Sequence, residues 1–215
     1  MRLVYHTRRG NPGLLLFFLG WGMDENPFLP LKIRGWDLAL IYDYRDLNFP
    51  PIPSYAEIKI LGWSAGVYAG LLALREGLAQ QGVFVNGTGA FCHPTWGIHP
   101  RLWRATWQAL KRAPQQTLSK FYQNMFRHSE DLRFFLTHRP QRSISEIIEE
   151  LEALMGFDPC LEVRGEVRAF VGRDDAIFPP LAQKRYWEER GIPWLFLPGG
   201  HFPFYERRLE EFFQR

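Results

Sequence analysis

The pentapeptide Gly62-Trp63-Ser64-Ala65-Gly66 constrains this chain more than any other stretch. An apolar run, Ile58-Lys59-Ile60-Leu61, ends against it, and a segment rich in Ala and Leu begins on its far side. In that setting G-x-S-x-G is a strand-to-helix turn so sharp that side chains two residues either side of the serine would collide, hence the two glycines. The turn lifts the serine hydroxyl above a sheet. It also aims a helix N-terminus, with free N–H groups and the positive end of the helix dipole, at negative charge developing there. With six Ser and 19 Gly in 215 residues, chance supplies about 0.05 such pentapeptides per chain, so a mere packing turn is the weaker reading.

The rest of the chain supplies a sheet for that turn. Leu14-Leu15-Leu16-Phe17-Phe18 has no polar break, as a strand covered on both faces requires. Leu38–Tyr42, Val83–Val85, Val167–Val171 and Trp194–Leu197 read the same way, and Val4-Tyr5-His6 adds an edge strand. Longer segments of helical period alternate with these runs, including Ser64 to Gln80, which predicts an α/β architecture with a mostly parallel sheet flanked by helices. From about Pro100 to Gly156 the rhythm changes to three or four helices with no strand between them. Trp103, Trp107 and Leu110 form one apolar stripe, Leu118, Tyr122 and Met125 another, and Ile144, Ile147, Ile148 and Leu151 a third. The last follows Ser143-x-x-Glu146, a capping box. The expected organisation is a core of residues 1–99 and 157–215 with a helical lid, 100–156, inserted into it.

Composition narrows the function classes. At 46% hydrophobic and 23% charged the chain is globular rather than disordered. Cys92 and Cys160 build no disulfide framework and no Cys/His spacing makes a zinc site, so the reading is a reduced, cytoplasmic protein without metal or cofactor. Thr7-Arg8-Arg9 before Leu14–Leu19 imitates a secretion signal, but the run is too short to span a bilayer and Met23-Asp24-Glu25-Asn26 stands where a cleavage site belongs. The net charge of +3 is unevenly spread. Gly97 to Ser145 holds nine Lys or Arg against two acids, a net of +7 that leaves −4 elsewhere. Such asymmetry favours an acidic partner, although a solvated helix surface would look alike. No nucleic-acid motif accompanies the charge.

A serine hydroxyl needs an oriented base. In an α/β hydrolase the order along the chain is Ser, acid, His, the last two on turns after later strands. His201 follows the final strand and Pro198-Gly199-Gly200; the other histidines lack that placement, and His93 is a candidate for the pocket wall. After Val167–Val171 come Gly172-Arg173-Asp174-Asp175-Ala176-Ile177-Phe178-Pro179. The spacing G-x-x-D-x-x-x-P selects Asp175 as the acid, leaving Asp174 to pair with Arg173 or cap the next helix. The oxyanion needs donors: the N–H of Ala65, directly after the nucleophile, and that of Trp21 in Leu19-Gly20-Trp21-Gly22. Many hydrolases carry His-Gly where this chain has Leu19-Gly20, but the donor is main chain.

Taken with Tyr42-Asp43-Tyr44-Arg45-Asp46-Leu47-Asn48, Val85-Asn86-Gly87-Thr88-Gly89, Arg173-Asp174-Asp175-Ala176-Ile177-Phe178 and Tyr186-Trp187, these segments resemble the pimeloyl-[acyl-carrier protein] methyl ester esterases of the BioG type, small α/β hydrolases of biotin synthesis. The likeness runs from about Leu14 to Phe204 and is weakest in the lid. It implies a serine carboxylesterase that removes the methyl group from pimeloyl-acyl-carrier protein, with Ser64 as nucleophile, His201 as base and acid, Asp175 as orienting acid, and Trp21 and Ala65 as the oxyanion hole. The acidic acyl carrier protein would then be the partner that the +7 segment meets. A general short-chain carboxylesterase or an acyl-carrier-protein thioesterase would use the same triad. A non-catalytic carrier-protein-binding module could keep the fold, but would not require Ser64, Asp175 and His201 in hydrolase order.

Overall fold

The computed structural model describes residues 1–205 and 207–213. Seven strands form one sheet: β1 (Arg2–Thr7), β2 (Gly13–Phe18), β3 (Trp36–Tyr42), β4 (Glu57–Trp63), β5 (Gln81–Val85), β6 (Glu166–Gly172) and β7 (Trp194–Leu197). Their order is β1-β3-β2-β4-β5-β6-β7, and only the edge strand β1 runs antiparallel to its neighbour. All six residues of β2 are buried, which is why that stretch could carry no polar residue. Between β2 and β4 the strand order reverses direction, and the crevice beyond the carboxyl ends of such strands is where open α/β sheets bind ligands.

Helix α1 (Gly66–Arg75) follows β4 and helix α6 (Pro180–Glu189) follows β6. Both cover one face of the sheet. There the Phe84 ring stacks on Trp187 of α6, 5.9 Å between centroids, and lies against Gly62 and Gly70. The opposite face is covered by loops carrying aromatic rings: Phe28 and Phe204 lie on Phe17, and Phe212 lies on Phe170. Each buried ring contributes about 2 kcal/mol through the apolar area it removes from water.

Two expectations need correction. The strand–helix alternation fails between β2 and β3, where the described residues hold one short 3₁₀ turn, Asn26–Phe28, and between β3 and β4, where they hold no helix. Pro50, Pro51 and Pro53 in the second crossover lack the N–H a helix needs and bias the preceding residues to extended backbone. Helix α1 also stops at Arg75, earlier than Gln80, because Gly77 takes a left-handed conformation (φ +77°) that ends it.

Four helices stand between β5 and β6: α2 (Pro100–Arg112), α3 (Pro114–Met125), α4 (Ser129–Thr137) and α5 (Ile144–Met155). The Ser143 side chain and Glu146 form the reciprocal capping box that starts α5. Among the described residues, no helix is long and apolar enough to cross a membrane.

Candidate active site

The site is assembled at the carboxyl ends of β2, β4, β6 and β7. Ser64 takes a left-handed backbone conformation (φ 56°) between β4 and α1, and its N–H donates to the Val85 carbonyl at 3.0 Å. Gly66 makes this turn possible. A Cβ there would stand 2.2 Å from the Phe18 carbonyl oxygen and 2.5 Å from that of Leu19, so only glycine lets α1 start against the end of β2. That approach sets Ser64 beside the loop Gly20-Trp21-Gly22. We expect Gly66→Ala to lose at least about 3 kcal/mol of stability, because backbone cannot yield as a side-chain tip would. Urea unfolding within about 1 kcal/mol of wild type would refute this account of the turn.

The three residues selected by order and spacing converge. His201 Nε2 lies 2.9 Å from Ser64 Oγ, and His201 Nδ1 lies 2.9 Å and 3.0 Å from the two Asp175 oxygens. Ser64 is 4% exposed, Asp175 6% and His201 fully buried. The Asp175 carboxylate also accepts from the N–H of Ile177 and of Phe178 and from Gln183 Nε2. These donors hold it as an acceptor facing the imidazole. Asp174 pairs with neither Arg173 nor a helix end. Its carboxylate accepts from Arg127 Nη1 at 2.7 Å, on the link between α3 and α4, while Arg173 lies over the Phe196 ring. His93 is not a pocket residue: its Nδ1 accepts from the N–H groups of Thr95 and Trp96 in its own loop, and burial pushes its pKa down.

Two side chains hold the His201 loop. Trp63, the second residue of the pentapeptide, donates from Nε1 to the His201 carbonyl at 2.7 Å. Asn86, fully buried with φ 51°, donates from Nδ2 to the carbonyls of Gly200 and His201 and accepts the Gly172 N–H on Oδ1. Asn86 was visible in the sequence only as part of Val85-Asn86-Gly87-Thr88-Gly89, and Gln183 not at all.

Trp21 and Ala65 stand on the two loops that flank Ser64. Among the described residues neither N–H has a hydrogen-bond acceptor, which leaves both able to receive an oxyanion. A cavity of about 790 Å³ opens at Ser64. Trp21, Phe91, Trp103, Phe121 and Ile177 give it apolar walls, and Arg112 and Lys120, exposed cations of α2 and α3, also line it. Of the nine basic residues between Gly97 and Ser145, Arg142 does not belong to an outer surface. It is buried, its Nη1 lies 2.5 Å from Glu150 Oε2, and its Nη2 is 3.1 Å from Asp43 Oδ1, off the hydrogen-bond direction.

Glu150, fully buried on the inner face of α5, is a residue the sequence reading missed. Its signal was present: a carboxylate three residues after Ile147, on the apolar stripe of the helix, where a charge is rare unless paired. Burial pushes its pKa up, against the pull of Arg142 and of the N–H groups of Tyr44 and Gly22. Burial pushes Asp43 up as well, but the Arg45 hydrogen bonds and the charges of Arg142, Arg45 and Arg2 outweigh it and hold that carboxyl below the usual aspartate range.

With this geometry in view, the likeness to known proteins is informative. Residues 1–206 match the family described as Pimeloyl-ACP methyl esterase BioG. The chain is 35% identical over 183 residues to the malonyl-[acyl-carrier protein] O-methyltransferase of Bacteroides fragilis (strain 638R); the match takes in 81% of the chain but only 36% of that longer protein. It is 30% identical over 195 residues to an uncharacterized protein of Haemophilus influenzae, covering 88% of each. The crystal structure of selenomethionine BioG from Haemophilus influenzae superposes with a TM-score of 0.88 at 27% identity, over 99% of both chains. An esterase from Exiguobacterium antarcticum, 15% identical, shares the fold with a TM-score of 0.76 over 98% of this chain and 91% of its own. The fold is that of the α/β hydrolases, and with a family match running over almost all its residues the chain belongs to the pimeloyl-ACP methyl esterase BioG family.

Proposed function

We propose that this chain hydrolyses the methyl ester of a pimeloyl group carried on acyl carrier protein, using Ser64, His201 and Asp175. The observation that carries the reading is the continuous relay from Ser64 Oγ through the His201 ring to Asp175, 2.9 Å at each step, opening on a cavity in a member of the BioG family. Ser64 Oγ attacks the ester carbonyl carbon while His201 Nε2 takes its proton, and Asp175 steadies the imidazolium through Nδ1. The carbonyl oxygen gains the electron pair and rests on the N–H groups of Trp21 and Ala65, donors fixed before the charge appears. The tetrahedral intermediate collapses, the bond to the methoxy oxygen breaks, and the imidazolium proton leaves with methanol. Water then attacks the acyl-enzyme by the same route, returning the hydroxyl of Ser64 and freeing a pimeloyl carboxylate.

The inserted helices suit the carrier. We assign residues 100–156 as the lid and residues 1–99 with 157–215 as the core. Helices α2 and α3 wall the cavity, and α2 presents exposed Arg101 and Arg104 beside Arg112. Exposed charges of one sign draw an acidic partner in and lose that effect as salt screens them.

The deciding experiment follows methanol release from pimeloyl-acyl-carrier-protein methyl ester. Raising ionic strength from 50 to 500 mM is expected to lower kcat/KM on that substrate roughly tenfold and on a free short-chain ester less than about twofold. Equal salt sensitivity would remove the carrier from the account. Cleavage of a chromogenic ester without release of methanol from the carrier-bound ester would leave a broader carboxylesterase.

A further inference from the structure

Residues 141–150 hold the loop that carries Trp21 along most of its length. The Trp21 indole donates from Nε1 to the Ile147 carbonyl at 2.9 Å, and the Gly22 N–H donates to Glu150 Oε2 at 3.0 Å. One step further, the Gln141 N–H donates to Asp24 Oδ2 at 2.6 Å. From the other side the Tyr44 hydroxyl donates to the Leu19 carbonyl at 2.7 Å, and the Tyr44 N–H donates to Glu150 Oε1 at 2.9 Å. Both oxygens of Glu150 are therefore spent on main-chain N–H groups of two core loops, with Arg142 balancing the charge.

Stability alone does not account for this arrangement. Taking a carboxylate and a guanidinium out of water costs several kcal/mol per ion, and a well-packed apolar residue in the same place commonly does as well or better. A carboxylate can do what an apolar side chain cannot: hold two backbone N–H groups at fixed positions. Fixing the Gly22 N–H orients the peptide plane that follows Trp21, and the indole bond to Ile147 fixes the side chain. With Leu19 held by Tyr44, the Trp21 N–H lies between anchored neighbours on both sides.

We infer that Glu150 is a positioning residue for the oxyanion donor Trp21, acting through Gly22 and supported by Tyr44, so that helix α5 is a working part of the hydrolytic centre. The inference rests on the reading of Trp21 as an oxyanion donor given above. It also assigns a task to the Tyr42-Asp43-Tyr44-Arg45 segment. Asp43 is paired with Arg45 and with Arg142, the partner of Glu150, and Tyr44 bonds the loop and Glu150 together.

The test uses the full chain with a chromogenic short-chain ester, and an alkyl trifluoromethyl ketone as the probe. Ser64 Oγ adds to the carbonyl carbon of that ketone, its proton passes to His201 Nε2, the carbonyl electrons become an oxyanion, and nothing leaves. For Glu150→Gln we expect kcat to fall roughly tenfold to a hundredfold with KM within about twofold, because a displaced donor is felt in the transition state and little in the ground state. Affinity for the ketone should fall in step with kcat/KM. Tyr44→Phe removes the hydroxyl bonds to the Leu19 and Ile41 carbonyls, keeps the Tyr44 N–H on Glu150, and should show the same split at several-fold size; it decides the matter if Glu150→Gln does not fold. Unchanged kcat and ketone affinity beside a lowered melting temperature would reduce Glu150 to a structural tie and overturn the inference. A wild-type chain that neither turns over the ester nor binds the ketone would instead overturn the hydrolase reading, and this inference with it.

Discussion

Ser64→Ala is expected to lower turnover of a free short-chain ester by about three orders of magnitude or more, while the protein melts at the wild-type temperature. That factor corresponds to about 4 kcal/mol of transition-state stabilisation. The reason lies in the geometry of the turn. The hydroxyl stands 2.9 Å from His201 Nε2, at the edge of a cavity with apolar walls and beside two N–H groups that have no acceptor among the described residues. Removing Oγ deletes the acyl-enzyme route and leaves His201 and the donors to assist direct attack by water, which supports only a residual rate. Alanine fills less space than serine, so packing is not the cause of the loss. The measurement is kcat by initial rates with a melting curve for each protein. A variant that keeps a tenth of the wild-type rate would refute the nucleophile assignment.

Asp175→Asn should cost about three to four orders of magnitude in kcat, whereas Asp174→Asn should change it by less than about threefold. The two neighbours differ in everything but identity. The Asp175 side chain is fully buried and faces His201 Nδ1, where an amide would present N–H to N–H or force the other imidazole tautomer. That tautomer carries the ring proton on Nε2, which still faces Ser64 Oγ but can no longer take its proton. Asp174 is 47% exposed at the side chain and is paired with an Arg127 that is 58% exposed. Surface pairs of this kind contribute at most about 1 kcal/mol, and this one touches neither Ser64 nor His201. Initial rates for the two variants on one ester settle the assignment, and the reverse order would show that Asp174 is the acid.

Much of this candidate site was legible in the residues because each member of the Ser64, His201 and Asp175 cluster sits on a turn after an apolar run. Ser64 follows Ile58–Leu61, Asp175 follows Val167–Val171, and His201 follows Trp194–Leu197; strand ends on one side of a parallel sheet lie together whatever the intervening length. The groups that hold these residues in place were not legible in that way. Asn86 meets Gly172, Gly200 and His201; Glu150 meets Gly22 and Tyr44. Nothing local in the sequence states which backbone group, about a hundred residues away, a polar side chain will reach. The arginines teach the same lesson from the other direction. Counting charge between Gly97 and Ser145 treats Arg142 and Arg101 alike, yet one is buried against carboxylates and the other is in solvent. The loops that replace helices around β3 could have been read, since Pro50, Pro51 and Pro53 exclude a helix by their chemistry, but the alternating rhythm elsewhere obscured them.

The bonds that Trp63 and Asn86 make to His201 bear on the order in which the chain acquires its shape. A polypeptide emerging from synthesis completes β4, α1 and β5 long before residue 201 exists. Until β7 docks and brings the His201 carbonyl to them, the Trp63 indole N–H and the Asn86 amide have no protein acceptor there, and burying such donors unmatched costs about 1–3 kcal/mol each. The first half of the sheet therefore resists closing over these positions before the last strand arrives. Closure of the fold and the arrival of His201 beside Ser64 become one late event.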